Sequence, residues 1–347
     1  MSSLDSLPST REANDGEPVF LDEDTRLHLY RTMVLIRGIE HGIETCHKKS
    51  MIDGSFHSSL GQESCAAGVC AVLRPTDIVT SNHRGHGHAI AKGVSPDAVM
   101  AELFKRTTGT SGGRGASMHL HDRASGFYGE TAIVGGGLPW AAGAIWARRR
   151  LKGTDDVAVA FAGDGAFANG VFSETLRTAR HWSAPVLFVC ENNGWAHSMP
   201  TERVFGPPGS IAATVRSMGI AAEEVDGRDV TAVYAATQRL LFTVRAGQPA
   251  FLECRVYRVR AHSIADAEYR YRGKTDGADW LAGNDPVAAL RATLPADEAD
   301  AVDRSVAALV DDAIVKAAQA PKPGPEAAYA HIYATEEFTT HAHAEIR

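Results

Sequence analysis

Asp164 sits between two glycines at the end of an apolar run, Val157-Ala158-Val159-Ala160-Phe161-Ala162. Asn193 sits in Glu191-Asn192-Asn193-Gly194 at the end of a second run, Pro185 to Cys190, with 26 residues between Gly165 and Asn192. A carboxylate oxygen and an amide oxygen are hard ligands of the sort Mg²⁺ accepts, in a site that phosphate oxygens and water usually complete. Gly163 and Gly165 let backbone approach a phosphate closely. A helix starting just beyond would add its positive end. These residues suggest a magnesium and diphosphate site. Each motif alone has a plainer reading, since Gly-Asp-Gly is a common turn after a strand and Asn-Asn-Gly a common loop. The two together, each closing a strand, favour the functional reading.

Such motifs need a scaffold that brings them to one edge. Continuous apolar runs are expected of strands buried on both faces. Residues 170–181 between them suit a helix, so the segment is a parallel crossover unit. In open parallel sheets ligands sit beyond the carboxyl ends of the strands, where Asp164 and Asn193 are delivered. Residues 78–80 predict a strand leading into Ser81-Asn82-His83-Arg84-Gly85-His86-Gly87. Residues 251–257 predict another, ending near Arg260-Ala261-His262-Ser263. Apolar spacing predicts helices over 22–47, 63–73, 139–151 and 285–320, and over 96–107 with Ser95 as cap and Pro96 at the first position. Helix 139–151 is rich in Ala and Gly, which suits either a close subunit contact or a core helix. Residues 108–137 are glycine-rich, and a loop that long is seldom idle. The predicted fold class is α/β, with a mostly parallel sheet flanked by helices on both faces. One domain is expected over 19–335, after a disordered lead-in over 1–18 and before a C-terminal tail over 336–347.

Composition narrows the function further. The chain has 347 residues, 44% of them apolar and 22% charged, so a large core is feasible and disordered or disulfide-scaffold classes are excluded. The net charge of −7 argues against nucleic acid and against an anionic membrane surface. No apolar run reaches membrane-span length, and the first residues lack a basic end and an apolar stretch. The five cysteines are scattered with no C-x-x-C, which fits a reducing cytoplasm. His86, His88, His119 and His121 invite a metal-cluster reading. His-Gly-His on a loop lacks the i, i+4 geometry, and no cysteine or acidic ligand accompanies it.

Gly-Asp-Gly followed some 25–30 residues later by Asn-Asn resembles the thiamin diphosphate signature. Roughly residues 25–335 resemble the alpha subunit of the decarboxylase (dehydrogenase) component of 2-oxo acid dehydrogenase complexes, of pyruvate or acetoin type. The resemblance runs through Gly54-Ser55-Phe56-His57, Leu60-Gly61-Gln62-Glu63, residues 80–88, Gly115-Ala116-Ser117-Met118-His119, residues 133–139, Gly163 to Ala166, Cys190 to Trp195, Val225-Asp226-Gly227, and His262-Ser263 with Tyr271-Arg272. It implies the thiamin diphosphate-binding fold. It implies that Asp164, the Asn193 side chain and the Trp195 carbonyl hold Mg²⁺. Gly165 and Ala166 would line the diphosphate by backbone amides, Arg84 would pair with it, and His83 would lie beside it. Val134, with Ala132 before it, would approach the aminopyrimidine through backbone. His57 and His262 match the two active-site histidines, residues that titrate in the range such chemistry needs.

The resemblance also implies partners: a beta subunit, two alpha chains assembling with two beta chains, and a lipoyl-bearing acyltransferase. The implied reaction decarboxylates a 2-oxo acid such as pyruvate, or cleaves acetoin, and transfers the acyl group to lipoamide. His83 and Gly135-Gly136-Gly137 lean toward the acetoin-like branch. Two alternatives stand beside it: a lipoyl-independent acyloin-forming or acyl-transferring thiamin enzyme, and a non-catalytic assembly subunit.

Overall fold

The computed structural model describes residues 21–206 and 211–328. The expected lead-in and tail fall outside the described residues. Six strands, β1 Ile78–Ser81, β2 Phe127–Glu130, β3 Ala158–Gly163, β4 Val186–Asn192, β7 Ala221–Asp226 and β8 Ala250–Arg255, form one sheet in the order β2-β1-β3-β4-β8-β7. Every neighbouring pair is parallel. A hairpin of β5 Trp195–Ala196 and β6 Met199–Pro200 follows β4.

The apolar runs are continuous because alternate residues feed two cores. Along β3, Ala158, Ala160 and Ala162 enter one core, while Val159 and Phe161 enter the other. Helices α5 Gly137–Lys152, α6 Gly170–His181 and α8 Ile211–Ser217 cover the alanine face, with α7 Thr201–Phe205 beyond β6. The opposite face carries α1 Glu23–Lys48, α2 Glu63–Cys70, α3 His86–Lys92, α4 Pro96–Leu103 and α9 Val230–Arg245. It also carries α11 Pro286–Arg291 and α12 Ala296–Gln319, with α10 Asp276–Asn284 leading into them. Gly38 and Gly42, four apart on α1, let α12 come close, since a Cβ at Gly38 would meet Val310 Cγ2 at 3.0 Å.

Several expected elements differ in extent. Helix 96–107 stops at Leu103, and Lys105 takes a positive φ of 55° just after it. The expected helix over 285–320 breaks over residues 292–295: α11 ends at Arg291, and Pro295, which lacks the N–H to carry a helix through, stands at the N-cap position of α12. The glycine-rich stretch contains β2, whose Gly129 at φ 110° needs a residue without Cβ.

His86 and His88 lie on α3 rather than on a loop, and they point to different partners. His86 Nδ1 meets Glu40 Oε1 at 3.0 Å and its Nε2 meets the Ser117 hydroxyl at 2.9 Å. Burial works against charge on His86, but the Glu40 carboxylate outweighs it and raises the pKa. His88 spans the Ser81 hydroxyl and Glu191 Oε1, at 2.7 and 3.1 Å. Beside this network, Glu130 at the end of β2 accepts from Leu120 N at 2.8 Å, and burial pushes its carboxyl up to about 8.

Candidate active site

Four strand ends converge on one cavity. β1 runs into Asn82-His83-Arg84, β3 into Asp164-Gly165-Ala166, β4 into Asn193, and the chain beyond β8 into His262. The extensions of β4 and β8 stay joined, since Val256 N donates to Asn192 O at 3.0 Å and Arg258 N to Asn193 O at 3.2 Å. Ile264 N donates to Phe56 O at 3.1 Å, which ties the His262 loop to the His57 loop. The cavity measures about 370 Å³.

Asp164 is only 2% exposed. Its Oδ1 accepts from Gly165 N at 2.8 Å and its Oδ2 from the Thr201 hydroxyl. Burial raises its pKa, against those hydrogen bonds and the charges of Arg258 and Arg84. A cation beside it would restore the ionised form. Asn193 Oδ1 accepts from Trp195 N at 3.3 Å, and Asp164, Asn193 and Trp195 all line the cavity. A Cβ at Gly165 would stand 3.1 Å from Ala196 Cβ, so this close passage suits glycine.

Two arginines make the site electropositive. Arg84 is buried, donating from Nη1 to Ser58 O at 2.7 Å and from Nη2 to His262 O at 2.9 Å. Arg258 is wholly buried, donating to His197 O at 2.6 Å and to the Tyr271 hydroxyl at 2.8 Å. Among the described residues neither has a carboxylate within ion-pair distance. Burial, and then Arg258, push Arg84 down to about 10. Buried cations without a paired anion are costly, so Arg84, which lines the cavity, fits an anionic ligand, with Arg258 adding positive charge behind the wall. The buried Gln62 also lines the cavity, and its Nε2 has no hydrogen-bond partner. The donor set therefore fits both a magnesium ion at Asp164 and Asn193 and a diphosphate against Arg84.

Beside Arg84, His57, His83 and His262 gather from three loops. Their ring centroids lie 4.5 Å apart for His57 and His83, and 4.9 Å for His57 and His262. Burial first, and then the charge of Arg84, push their pKa values down to about 4 for His57, 2 for His83 and 3 for His262. The three rings each offer a nitrogen within 4.8 Å of the others, a spacing that suits metal ligation. Arg84 argues against it. Its Nη2 lies 3.4 Å from His262 Nδ1, a cationic donor where a metal-bound imidazole would need an acceptor.

The cluster sets an acid limit on stability. Imidazoles neutral in the fold but titrating near 6.5 when unfolded contribute stability that is present above pH 6.5 and lost below it. Discounted for solvent screening of the part-exposed rings, the loss between pH 6.5 and 5.5 should be about 1–2 kcal/mol. Urea unfolding at both pH values in a Glu130→Gln background, which removes the opposing titration of that carboxyl, checks it, and adding His57→Asn should recover about a third of the loss.

Of the residues singled out in the sequence, Asp164, Gly165, Ala166, Asn193, Trp195, His83, Arg84, Val134 and His262 line the cavity. His57 adjoins it through its ring contacts. Ala132 is exposed and off the cavity wall. Sequence reasoning missed Arg258, Thr201 and His197. An arginine just past an apolar strand, in Tyr257-Arg258-Val259, is the one signal that could have found Arg258.

The chain matches known proteins over most of its length. Residues 31–326 match the family model described as dehydrogenase E1 component. The chain is 37% identical over 334 residues to the alpha subunit of acetoin:2,6-dichlorophenolindophenol oxidoreductase of Cupriavidus necator, covering 94% of this chain and 99% of that one. It is 35% identical over 326 residues to the subunit of the same name from Bacillus subtilis, covering 92% and 97%. It is 33% identical over 332 residues to the pyruvate dehydrogenase E1 component subunit alpha of Rhizobium meliloti, covering 94% of each. A six-stranded parallel sheet, a cavity at its carboxyl edge and a family match over most of the length converge, and the chain belongs to the dehydrogenase E1 component family, as an alpha subunit of pyruvate and acetoin dehydrogenase type.

Proposed function

We propose that this chain is the diphosphate-binding alpha subunit of a cytoplasmic enzyme of two alpha and two beta chains that uses thiamin diphosphate and Mg²⁺. Its reaction would decarboxylate a short 2-oxo acid such as pyruvate, or cleave acetoin, and pass the acyl group to lipoamide on a partner acyltransferase. The observation that carries this reading is the buried, carboxylate-free Arg84 sharing one cavity with Asp164 and Asn193. No helix among the described residues is long and apolar enough to cross a membrane.

Asp164, the Asn193 side chain and the Trp195 carbonyl would hold Mg²⁺. Arg84, His83 and the amides of Gly165 and Ala166 would hold the diphosphate. The Val134 backbone, beside Ala132, would face the aminopyrimidine. When bound, the cofactor supplies the electron sink for breaking a carbon–carbon bond next to a carbonyl. His57 and His262 would handle protons at the reacting end. Their low pKa values keep both rings neutral at pH 7, so each can accept a proton without first losing one. An anion against Arg84 would offset the part of the depression that its charge adds to burial, raising both values toward the usual imidazole range.

The test is turnover by the purified pair of subunits with both cofactors and an artificial electron acceptor. Pyruvate or acetoin should support reduction, and the His57→Ala pair should lose at least 100-fold in kcat. Turnover with neither substrate, by a pair that binds the cofactor, would contradict the proposed substrates.

A further inference from the structure

Two cavities meet at one side chain. Outside the inner cavity lies a second of about 740 Å³, walled by Ser263, Asp266, Arg270 and Tyr271 among others. His197 is the one residue on both walls among those described. Its ring lies 4.4 Å from that of His262 and 6.5 Å from that of Tyr271.

His197 also holds an unfavourable backbone. With Ser198 it forms the two-residue turn of the β5–β6 hairpin, in which Ala196 pairs with Met199. His197 takes φ 57°, and Ser198 is not in the positive-φ region. A two-residue hairpin turn with only its first residue at positive φ normally places glycine there. Here the Arg258 guanidinium, donating to the His197 carbonyl at 2.6 Å, holds the strained residue in place. Strain kept at a cavity wall, where glycine would relieve it, points to a role for the side chain.

We propose that His197 is a positioning residue that packs the His262 ring and gates passage between the outer and inner cavities, so that a substrate or acyl acceptor reaches the inner site past its imidazole. This rests on the proposed function for the identity of what passes, but not for the gate itself.

The gate is tested on the chain without cofactor. Carbethoxylation of His262 by diethyl pyrocarbonate, followed by peptide mass spectrometry, should be at least fivefold faster in His197→Gly than in the wild type. The same variant should unfold at a higher temperature, because glycine relieves the turn. The assembled enzyme then tests the positioning. His197→Gly should lose at least tenfold in kcat/KM, most of it in KM, and His197→Asn, which tolerates the turn and keeps a polar tip, should regain part. Cofactor affinity by calorimetry should stay within threefold. Unchanged His262 reactivity overturns the gate, and cofactor affinity falling in parallel with kcat/KM overturns the positioning role. A wild type that binds no cofactor counts against the proposed function and leaves the modification result standing.

Discussion

Arg84→Met is expected to cost at least 100-fold in affinity for thiamin diphosphate while leaving the unliganded protein within about 1 kcal/mol of wild-type stability. The two outcomes separate because Arg84 serves two partners. Its hydrogen bonds to Ser58 O and His262 O hold the His57 and His262 loops, and each carbonyl left unpaired costs about 1–3 kcal/mol. Against that, the variant removes a buried cation that has no paired carboxylate, whose desolvation costs several kcal/mol. The balance is near zero without ligand. With ligand, charge-assisted bonds to an anion worth about 1.5–3 kcal/mol each disappear. Thermal unfolding and calorimetric titration of the same preparation check both halves. A variant that loses stability and affinity together would show Arg84 to be structural.

Glu130→Gln is expected to be nearly neutral at pH 5 and to stabilise the protein by several kcal/mol at pH 8. Burial raises the folded pKa to about 8, whereas a glutamate in the unfolded chain titrates near 4.3. Between those values the folded state keeps a proton that the unfolded state has released. Stability is therefore fully present below the unfolded pKa and declines until pH passes about 8. At about 1.4 kcal/mol per unit the decline is of order 5 kcal/mol, about 1 kcal/mol of it below pH 5. The amide cannot titrate, and it keeps an acceptor for Leu120 N. Urea unfolding across pH 5–8.5 should show a falling alkaline limb in the wild type and none in the variant. Between pH 5.5 and 6.5 the opposing slopes of Glu130 and the three histidines should leave the wild-type profile nearly level, and it should fall above pH 6.5. A flat wild-type profile above pH 6.5 would mean that Glu130 is ionised in the fold.

The sheet was legible wherever strands are buried on both faces. The β3 and β4 runs are largely apolar, so they show without periodicity, and each ends at the loop that carries Asp164 or Asn193. The edge strands were not legible. β7 is Ala-Ala-Glu-Glu-Val-Asp, with Glu223 paired to Arg239 and Glu224 to Arg255. That charge suits a sheet edge but hides the strand pattern. β2 is four residues inside a glycine-rich loop. Helix α9 is absent from the sequence reading, although Asp229, which caps Thr231 and Ala232, and the spacing of Val230, Val233 and Leu240 mark it.

The site divides in the same way. Asp164 and Asn193 follow from strand register, since β3 and β4 run side by side to Gly163 and Glu191. The gathering of His57, His83 and His262 does not follow from spacing, because their loops belong to separate parts of the chain. Resemblance pointed to all three, but only the fold shows that they touch. His197 carries no sequence signal, because its importance lies in a turn conformation and in the two cavities it divides.

The most direct measurement of the central claim is calorimetric titration of thiamin diphosphate, with and without Mg²⁺, into this chain purified with its beta subunit, beside an Asp164→Ala version. The account predicts Mg²⁺-dependent binding by the wild type and a loss of at least 100-fold in Asp164→Ala, about 2.7 kcal/mol. Binding of equal strength with and without Mg²⁺, or unchanged by Asp164→Ala, would contradict it.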